Sequence, residues 1–138
     1  MKIVIVEDEP TDSKLACVVL AADGHDVFDA RDAAEALETI RREKPKFVLV
    51  DLNLPGMDGL TLVRTLKANP ATRHIRVVAI TAYASRFTRK DALDAGCDAY
   101  LEKPMDTRGL SNMLQQADSK SKRASKATTS PRKPSGGL

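Results

Sequence analysis

Short apolar runs alternate along the chain with longer segments whose apolar residues lie three or four positions apart. The runs are rich in Val and Ile and are bounded by charged residues, which is typical of buried strands. Strands are predicted at residues 2–6, 26–30, 46–51, 76–81 and 98–103. Helices are predicted from Pro10 to a stop at Gly24, and at residues 32–43, 58–69, 85–96 and 106–117. In the first helix the apolar residues at helical spacing are Leu15, Val18, Val19 and Ala22.

The alternation of five strands with five helices predicts the fold class. Strand–helix–strand units of this length are right-handed and build a parallel sheet with helices on both faces, which is a doubly wound α/β fold. The central runs are apolar at every position, as strands covered on both faces must be. In open sheets of this kind, ligands bind beyond the carboxyl ends of the strands. The residues that follow each strand therefore indicate the function.

Polar residues stand at four of the five predicted strand ends. Glu7 and Asp8 follow the first strand, Asp51 ends the third, Thr81 ends the fourth and Lys103 ends the fifth. If these strands are neighbours in the sheet, three carboxylates, a hydroxyl and an ammonium group converge on one pocket. Taken singly, each residue has an ordinary explanation as a turn, a cap, a solvated loop or a surface side chain. Taken together, four such coincidences at successive strand ends favour a functional site.

The charges in this pocket indicate its chemistry. Three carboxylates repel one another, and Mg²⁺ relieves such repulsion with oxygen ligands. With Mg²⁺ and Lys103, the formal charge sums to zero, which suits a site that receives a phosphoryl group. Asp51 is then the expected nucleophile and forms an acyl phosphate. Cys17 and Cys97 are predicted to be reduced buried thiols, and the scattered His25 and His74 make a His/Cys metal site improbable.

Four motifs, in this order, resemble the receiver domain of two-component response regulators, of the stand-alone type similar to chemotaxis regulators. They are "VIVEDE", "VLVDLNLPGMDG", "AITAYA" and "AYLEKP", and the resemblance covers residues 1–117. It implies a flavodoxin-like sheet with strand order 2-1-3-4-5. It also implies a phosphorylation-activated switch of a two-component system or phosphorelay. Such a switch is no conventional enzyme, although it promotes its own Mg²⁺-dependent phosphoryl transfer and dephosphorylation.

The resemblance also implies a role for each residue of the acidic pocket. Asp51 is the phosphoacceptor. Asp8 binds Mg²⁺ directly, Glu7 acts through water, and Asn53 supplies its backbone carbonyl; Mn²⁺ is expected to substitute for Mg²⁺. Lys103 pairs with a phosphoryl oxygen.

Further implied roles concern switching and the lifetime of the phosphoryl group. Thr81 is the switch hydroxyl, Tyr100 is an aromatic switch that moves with it, and the bond before Pro104 is expected to be cis. Asn53 and Tyr83 flank the path of the hydrolytic water. Tyr83 either shields the acyl phosphate or simply covers a loop, and the sequence leaves both open.

The expected partners follow from the same resemblance. A histidine kinase or histidine phosphotransfer protein donates the phosphoryl group, and a downstream protein binds the face formed by residues 85–117. The alternative is a phosphatase of the haloacid dehalogenase type, but that class needs a second Asp where this chain has Asn53. The chain is expected to be cytoplasmic, without a membrane partner, because its first apolar run is too short for a signal peptide and no run reaches the roughly 20 residues of a membrane span.

The charge is concentrated at the C-terminus. From Asp118 onward there are six basic residues and one acid, so the segment carries +5; the whole chain carries +3, which leaves −2 for residues 1–117. The segment has too few apolar residues to fold and is predicted to be a disordered basic tail at 118–138. Nucleic-acid binding is expected, if at all, only through this tail, which lacks aromatic residues. A solubilising or docking role is the other interpretation.

Overall fold

The structure is a computed structural model that describes residues 1–54, 57–82 and 88–103, together with Leu110 and Leu114. For residues 10–13 it describes the backbone only. The chain divides into two compact units, Met1–Arg108 and Gly109–Leu138. In the second, Leu110 and Leu114 are helical and buried, and the predicted fifth helix and the predicted tail otherwise lie outside the described residues.

Five strands and four helices alternate along the described chain. Their bounds are β1 (Lys2–Val6), α1 (Pro10–Ala22), β2 (Asp26–Ala30), α2 (Ala33–Glu43), β3 (Phe47–Asp51), α3 (Gly59–Ala68), β4 (Arg76–Thr81), α4 (Arg89–Ala95) and β5 (Ala99–Glu102). All paired strands are parallel, and their order is β2-β1-β3-β4-β5. The predicted fold class and strand order are confirmed, and each predicted strand is correct to within one residue at either end.

The sheet is buried on both faces. Successive residues of a strand point to opposite sides of the sheet, and helices cover each side. Val4, Val48 and Val50 lie in one core cluster together with residues of α2, α3 and α4. The alternate residues Ile3 and Leu49 are also fully buried, and α1 packs beside β1 and β2. A strand with core on both sides cannot shift its register without exposing apolar residues. The ends of β1, β3 and β4 are therefore fixed relative to one another.

Helix α1 does not pack as its spacing predicts. Leu15 and Val18 are 53% and 58% exposed, whereas Ala16 and Leu20 are buried. Apolar residues lie on several sides of this helix, so periodicity alone does not select the buried side. Cys17, on the same helix, is only partly buried, and the prediction of a buried thiol is correct for Cys97 alone. Burial raises the pKa of the Cys97 thiol to about 12.

The prediction that the fourth helix begins at residue 85 is wrong. Thr88 is extended (φ −78°, ψ 162°) and caps α4 from outside it. Its side chain accepts a hydrogen bond from the Asp91 N–H, and the Asp91 carboxylate accepts one from the Thr88 N–H. In this reciprocal capping box, side-chain oxygens accept hydrogen bonds from the backbone N–H groups of Thr88 and Asp91. Thr88 therefore needs no helical hydrogen bond and lies outside the helix. The helix therefore begins at Arg89.

Helix α3 begins in very close contact with the end of β3. Asp58 caps it by accepting a hydrogen bond from the Thr61 N–H, and the Gly59 N–H donates to the Leu52 carbonyl at 2.9 Å. A Cβ atom on Gly59 would lie 2.5 Å from the Leu52 Cα and 2.8 Å from the Asp51 carbonyl oxygen. Only glycine allows this approach, so the helix start fixes the backbone on which Asp51 is mounted.

Among the described helices, none has the length and apolar character needed to cross a lipid bilayer.

Candidate functional site

Three carboxylates converge at the carboxyl edge of the sheet, as predicted. Glu7 and Asp8 follow β1, and Asp51 ends β3; one carboxylate oxygen from each lies within 4.8 Å of the other two. The adjacent pairing of Val6 with Val50 brings the two strand ends side by side. Glu7 and Asp51 are each only 6% exposed, whereas Asp8 is exposed. The cluster thus has a buried inner part and an outer carboxylate open to solvent.

Lys103 joins the two buried carboxylates. Its Nζ donates to Glu7 Oε2 at 2.7 Å and to Asp51 Oδ2 at 3.1 Å. Its backbone N–H donates to the Thr81 carbonyl at 2.9 Å, which ties the residue after β5 to the end of β4. The Lys103 ammonium group therefore reaches the cluster from the end of β5, which is separated from β3 by β4.

Backbone amides hold the remaining oxygens of the same carboxylates. Asp51 Oδ1 accepts from the Asn53 N–H at 2.9 Å, and Glu7 Oε1 accepts from the Glu9 N–H at 3.1 Å. Each buried carboxylate is therefore oriented at both oxygens. Asn53 lies directly beside Asp51, while the contribution of its carbonyl to metal binding stays a prediction.

The cluster carries more negative than positive charge. Three carboxylates face one ammonium group, which leaves two formal negative charges. The pKa of Glu7 is raised to about 7, chiefly by burial and next by its contact with Asp51, against the opposing hydrogen bonds from Lys103 and the Glu9 amide. A neutral, protonated Glu7 is one way to reduce the excess charge, and a divalent cation is another. Oxygen ligands of this kind suit Mg²⁺, so the donor set fits the predicted metal.

This raised pKa makes stability depend on pH in the absence of divalent cations. Because folded Glu7 holds its proton more tightly than unfolded Glu7, stability is lost as pH rises from about 4.5 to about 7. We expect Glu7→Gln to be more stable than the wild type above pH 7, on the order of 1–2 kcal/mol given the partly solvated mouth of the site. The difference should vanish towards pH 4.5. Thermal unfolding in EDTA across this range measures it, with substitution of the exposed carboxylate in Glu102→Gln as the control; a gap that widens at low pH would contradict it.

Thr81 and Tyr100 lie on one face of two neighbouring strands. Thr81 is fully buried at the end of β4, and Tyr100 of β5 is 5% exposed and pairs in register with Ala79. The guanidinium carbon of Arg89 lies 5.2 Å from the centroid of the Tyr100 ring, a cation–π distance. The small Ala79, directly opposite Tyr100 on β4, leaves room for the ring. Sequence reasoning did not identify Arg89 because nothing in the chain indicates this contact before α4 is placed.

Gly59 was also missed, although a signal was present. Glycine is a poor choice for the first position of a helix, where proline and stronger helix formers are favoured. Its occurrence there indicates a close backbone approach. Of the other predicted residues, Tyr83 and Pro104 lie outside the described residues.

Comparisons with known proteins agree with this geometry. The sequence profile of the response regulator receiver domain family matches residues 3–115. Response regulator PleD of Caulobacter vibrioides is 40% identical over 105 residues, 76% of this chain but only 23% of PleD. Polar-differentiation response regulator DivK of Brucella anthropi is 35% identical over 103 residues, 75% of this chain and 84% of DivK.

A solved receiver domain with a bound metal ion is also similar to this chain. The receiver domain of sensor histidine kinase PA1611 from Pseudomonas aeruginosa, with a magnesium ion coordinated in its active-site cleft, is 30% identical with a TM-score of 0.75. The alignment covers 83% of this chain and 94% of that one. Receiver domains are phosphoacceptors that work with histidine kinases or phosphotransfer proteins and with downstream targets. The profile match and the relatives together establish that this chain belongs to the response regulator receiver domain family of two-component signalling.

Proposed function

We propose that this chain is a phosphorylation-activated switch that accepts a phosphoryl group on Asp51 from a phosphohistidine donor and signals by binding another protein. The observation that carries the proposal is the position of Asp51. It is a buried carboxylate at a strand end, held by Lys103 at 3.1 Å and by the Asn53 N–H at 2.9 Å, with two further carboxylates within 4.8 Å.

In the proposed transfer, a carboxylate oxygen of Asp51 attacks the phosphorus atom of the donor. The P–N bond breaks, its electron pair stays on the imidazole nitrogen, and the acyl phosphate forms. Because β3 is packed on both faces, the carboxylate is held in position before the donor arrives, which lowers the entropic part of the barrier. Lys103 Nζ and the Thr81 hydroxyl are assigned to hold phosphoryl oxygens.

Asp8, Asp51 and the Asn53 carbonyl are the proposed direct metal ligands, and Glu7 is proposed to act through water. Bound Mg²⁺ supplies charge neutralisation between these carboxylates and the phosphoryl oxygens. Mn²⁺ prefers the same oxygen ligands and is expected to replace it. Asn53 and Tyr83 are proposed to tune hydrolysis of the acyl phosphate.

Switching is proposed to follow from the change in charge. Phosphorylation replaces a charge of −1 on Asp51 by about −2 and adds acceptor oxygens. Thr81 reaches these oxygens only by moving towards Asp51, which vacates space next to Tyr100. In the described conformation Tyr100 is already buried beneath Arg89. Phosphorylation would then act by stabilising this buried position relative to an exposed one, and a partner on the face of residues 85–117 would respond through its differential affinity.

The direct test is labelling by a small-molecule phosphodonor such as acetyl phosphate. Intact-mass measurement should show the addition of one phosphoryl group in Mg²⁺ and none in EDTA, and peptide mapping should place it within residues 47–54. Labelling of equal extent in EDTA, or on another peptide, would refute the proposal.

Lys103→Ala separates acceptance from switching. The side chain bridges two carboxylates but does not attack phosphorus, so the variant should still be labelled, at a reduced rate. It should lose the conformational response to phosphorylation, because that response requires Lys103 to move to a phosphoryl oxygen. With beryllofluoride and Mg²⁺, where beryllofluoride stands in for the phosphoryl group, amide chemical shifts of residues 99–102 should change in the wild type and in Lys90→Ala, which removes an exposed lysine. Unaltered changes in Lys103→Ala would contradict this role.

A further inference from the structure

A cavity lies at the opposite end of the sheet from the acidic cluster. It is bounded by α2, α3 and the segment that enters β4, and its volume is about 570 Å³. Lys44 and Ile75 both line it and stand just before the N-terminal ends of β3 and β4. The acidic cluster occupies the carboxyl ends of the same strands. The cavity therefore belongs to a different site, and its size is within the range of small-molecule pockets, about 300–1,000 Å³.

The floor of this cavity is aliphatic. Ile40, Leu66 and Ile75 are buried beneath it, and Leu37 is half-buried at its side. Among the described lining residues, the exposed His74 alone carries a ring. A bound molecule gains here mainly by covering the accessible aliphatic surface of Ala34 and Leu37, at roughly 25 cal/mol per Å².

The rim of the cavity is positively charged at one point. Arg41 is paired with Glu38, one helical turn away, and Arg42 nearby is paired with Glu43. Lys44, which ends α2 in the left-handed conformation (φ 49°), has no ion pair within the described part of the chain. Its exposed ammonium group is therefore available to a ligand that reaches the aliphatic floor.

The walls are fixed by hydrogen bonds that do not depend on a ligand. Lys67 Nζ donates to the Ile75 carbonyl at 2.7 Å and to the Arg73 carbonyl at 3.2 Å. Thr72 Oγ1 donates to the Leu66 carbonyl at 2.7 Å. Because these bonds hold the segment before β4 against α3, little order has to be created on binding, which favours affinity.

We propose that this cavity binds an amphipathic aliphatic carboxylate. The hydrocarbon chain lies on Ala34 and Leu37, above the buried aliphatic floor, and the carboxylate pairs with Lys44 at the rim. The same floor would accept an alcohol or an amine of equal length, so the charge at Lys44 is what selects the acid. The proposal does not rest on phosphorylation, and its test needs no phosphodonor.

The test uses octanoate, octanol and octylammonium as probes. Methyl chemical shifts of Ile40, Leu66 and Ile75 are followed in the wild-type protein during each titration. Octanoate should give saturable shifts and bind roughly three- to tenfold more tightly than octanol, with octylammonium weakest. The absence of saturable shifts at these methyls, or equal affinities for all three probes, would overturn the proposal.

Two variants with matched controls complete the experiment. Ala34→Leu fills the cavity from an exposed position of α2 and should abolish the shifts, while Ala21→Leu on exposed α1 should not. Lys44→Ala should remove the preference for octanoate over octanol, while Lys14→Ala should keep it. If Lys44 serves only to balance the carbonyl dipoles at the end of α2, Lys44→Ala will lower stability and leave the preference unchanged, and the assignment of the carboxylate is then wrong.

Discussion

Asp51→Asn is expected to reduce labelling by a phosphodonor by at least about a thousandfold, a loss of the size seen when a catalytic nucleophile is removed. The amide nitrogen and oxygen of Asn are too weakly nucleophilic to displace the donor. The side chain keeps its shape, so its oxygen can still accept the Asn53 N–H that Asp51 Oδ1 accepts at 2.9 Å. The fold should therefore survive. Intact-mass measurement after treatment with acetyl phosphate and Mg²⁺ gives the result directly.

The same substitution has an electrostatic consequence that provides an internal check. Removing the Asp51 charge leaves Glu7 buried, with Lys103 at 2.7 Å, and removes the Asp51 contact that helps to raise its pKa. The pKa of Glu7 should fall from about 7 towards its usual value, and less protonation should be seen at neutral pH. Asp23→Asn, on an exposed loop, is the matched control and should be labelled like the wild type. Labelling of Asp51→Asn to the wild-type extent would move the phosphoacceptor elsewhere.

Gly59→Ala is expected to destabilise the domain by about 2 kcal/mol or more. The new methyl group would lie 2.5 Å from the Leu52 Cα and 2.8 Å from the Asp51 carbonyl oxygen, both of them backbone atoms that cannot rotate away. Overpacking costs about 1–3 kcal/mol and sometimes more, and two contacts with backbone atoms at 2.5 and 2.8 Å place this site at the upper end of that range or above it. Subtracting roughly 1 kcal/mol for improved helix propensity leaves about 2 kcal/mol or more. Either the first turn of α3 moves away from β3 or the end of β3 shifts, and both changes disturb the position of Asp51.

Thermal unfolding and phosphodonor labelling together measure this effect. For a domain of this size, a melting temperature lower by roughly 5–15 °C is expected, with slower labelling at a temperature where the variant is folded. Thr61→Ala places the same residue two positions further along α3, at an exposed site, and should change neither quantity appreciably. A Gly59→Ala variant that melts and labels like the wild type would show that the contact relaxes without cost.

Much of the fold follows from the sequence because its central strands have only one possible environment. Runs such as Phe47–Val50 are apolar at every position and are stable only between two layers of helices. Once they are recognised as parallel strands, the topology alone brings their carboxyl ends together. For this reason the convergence of Glu7, Asp8, Asp51 and Lys103 could be predicted without any knowledge of side-chain contacts.

The errors have a different physical origin. Helix α1 has apolar residues on several sides, so its buried side depends on which residues the sheet presents and cannot be obtained from spacing. The start of α4 is decided by the capping pair Thr88 and Asp91, which competes with helix propensity over a few residues. The Arg89–Tyr100 contact depends on where α4 lies over β5. The packing of α1 and the Arg89–Tyr100 contact join separate parts of the chain, whereas the start of α4 is decided locally, by a capping box that competes with helix propensity.

The position of Lys103 has a consequence for how the domain opens. β5 is an outer strand of the described sheet and is paired with β4 alone, and Lys103 follows it directly. Outer strands are often the first to open in local unfolding. If β5 detaches, Lys103 moves away and the buried carboxylates of Glu7 and Asp51 lose their positive partner. The ion pairs between Lys103 and these two residues therefore resist the opening of β5. Amide hydrogen exchange in β5 should therefore report on the acidic cluster: it should quicken where Glu7 or Asp51 is neutralised, although neither residue lies on that strand.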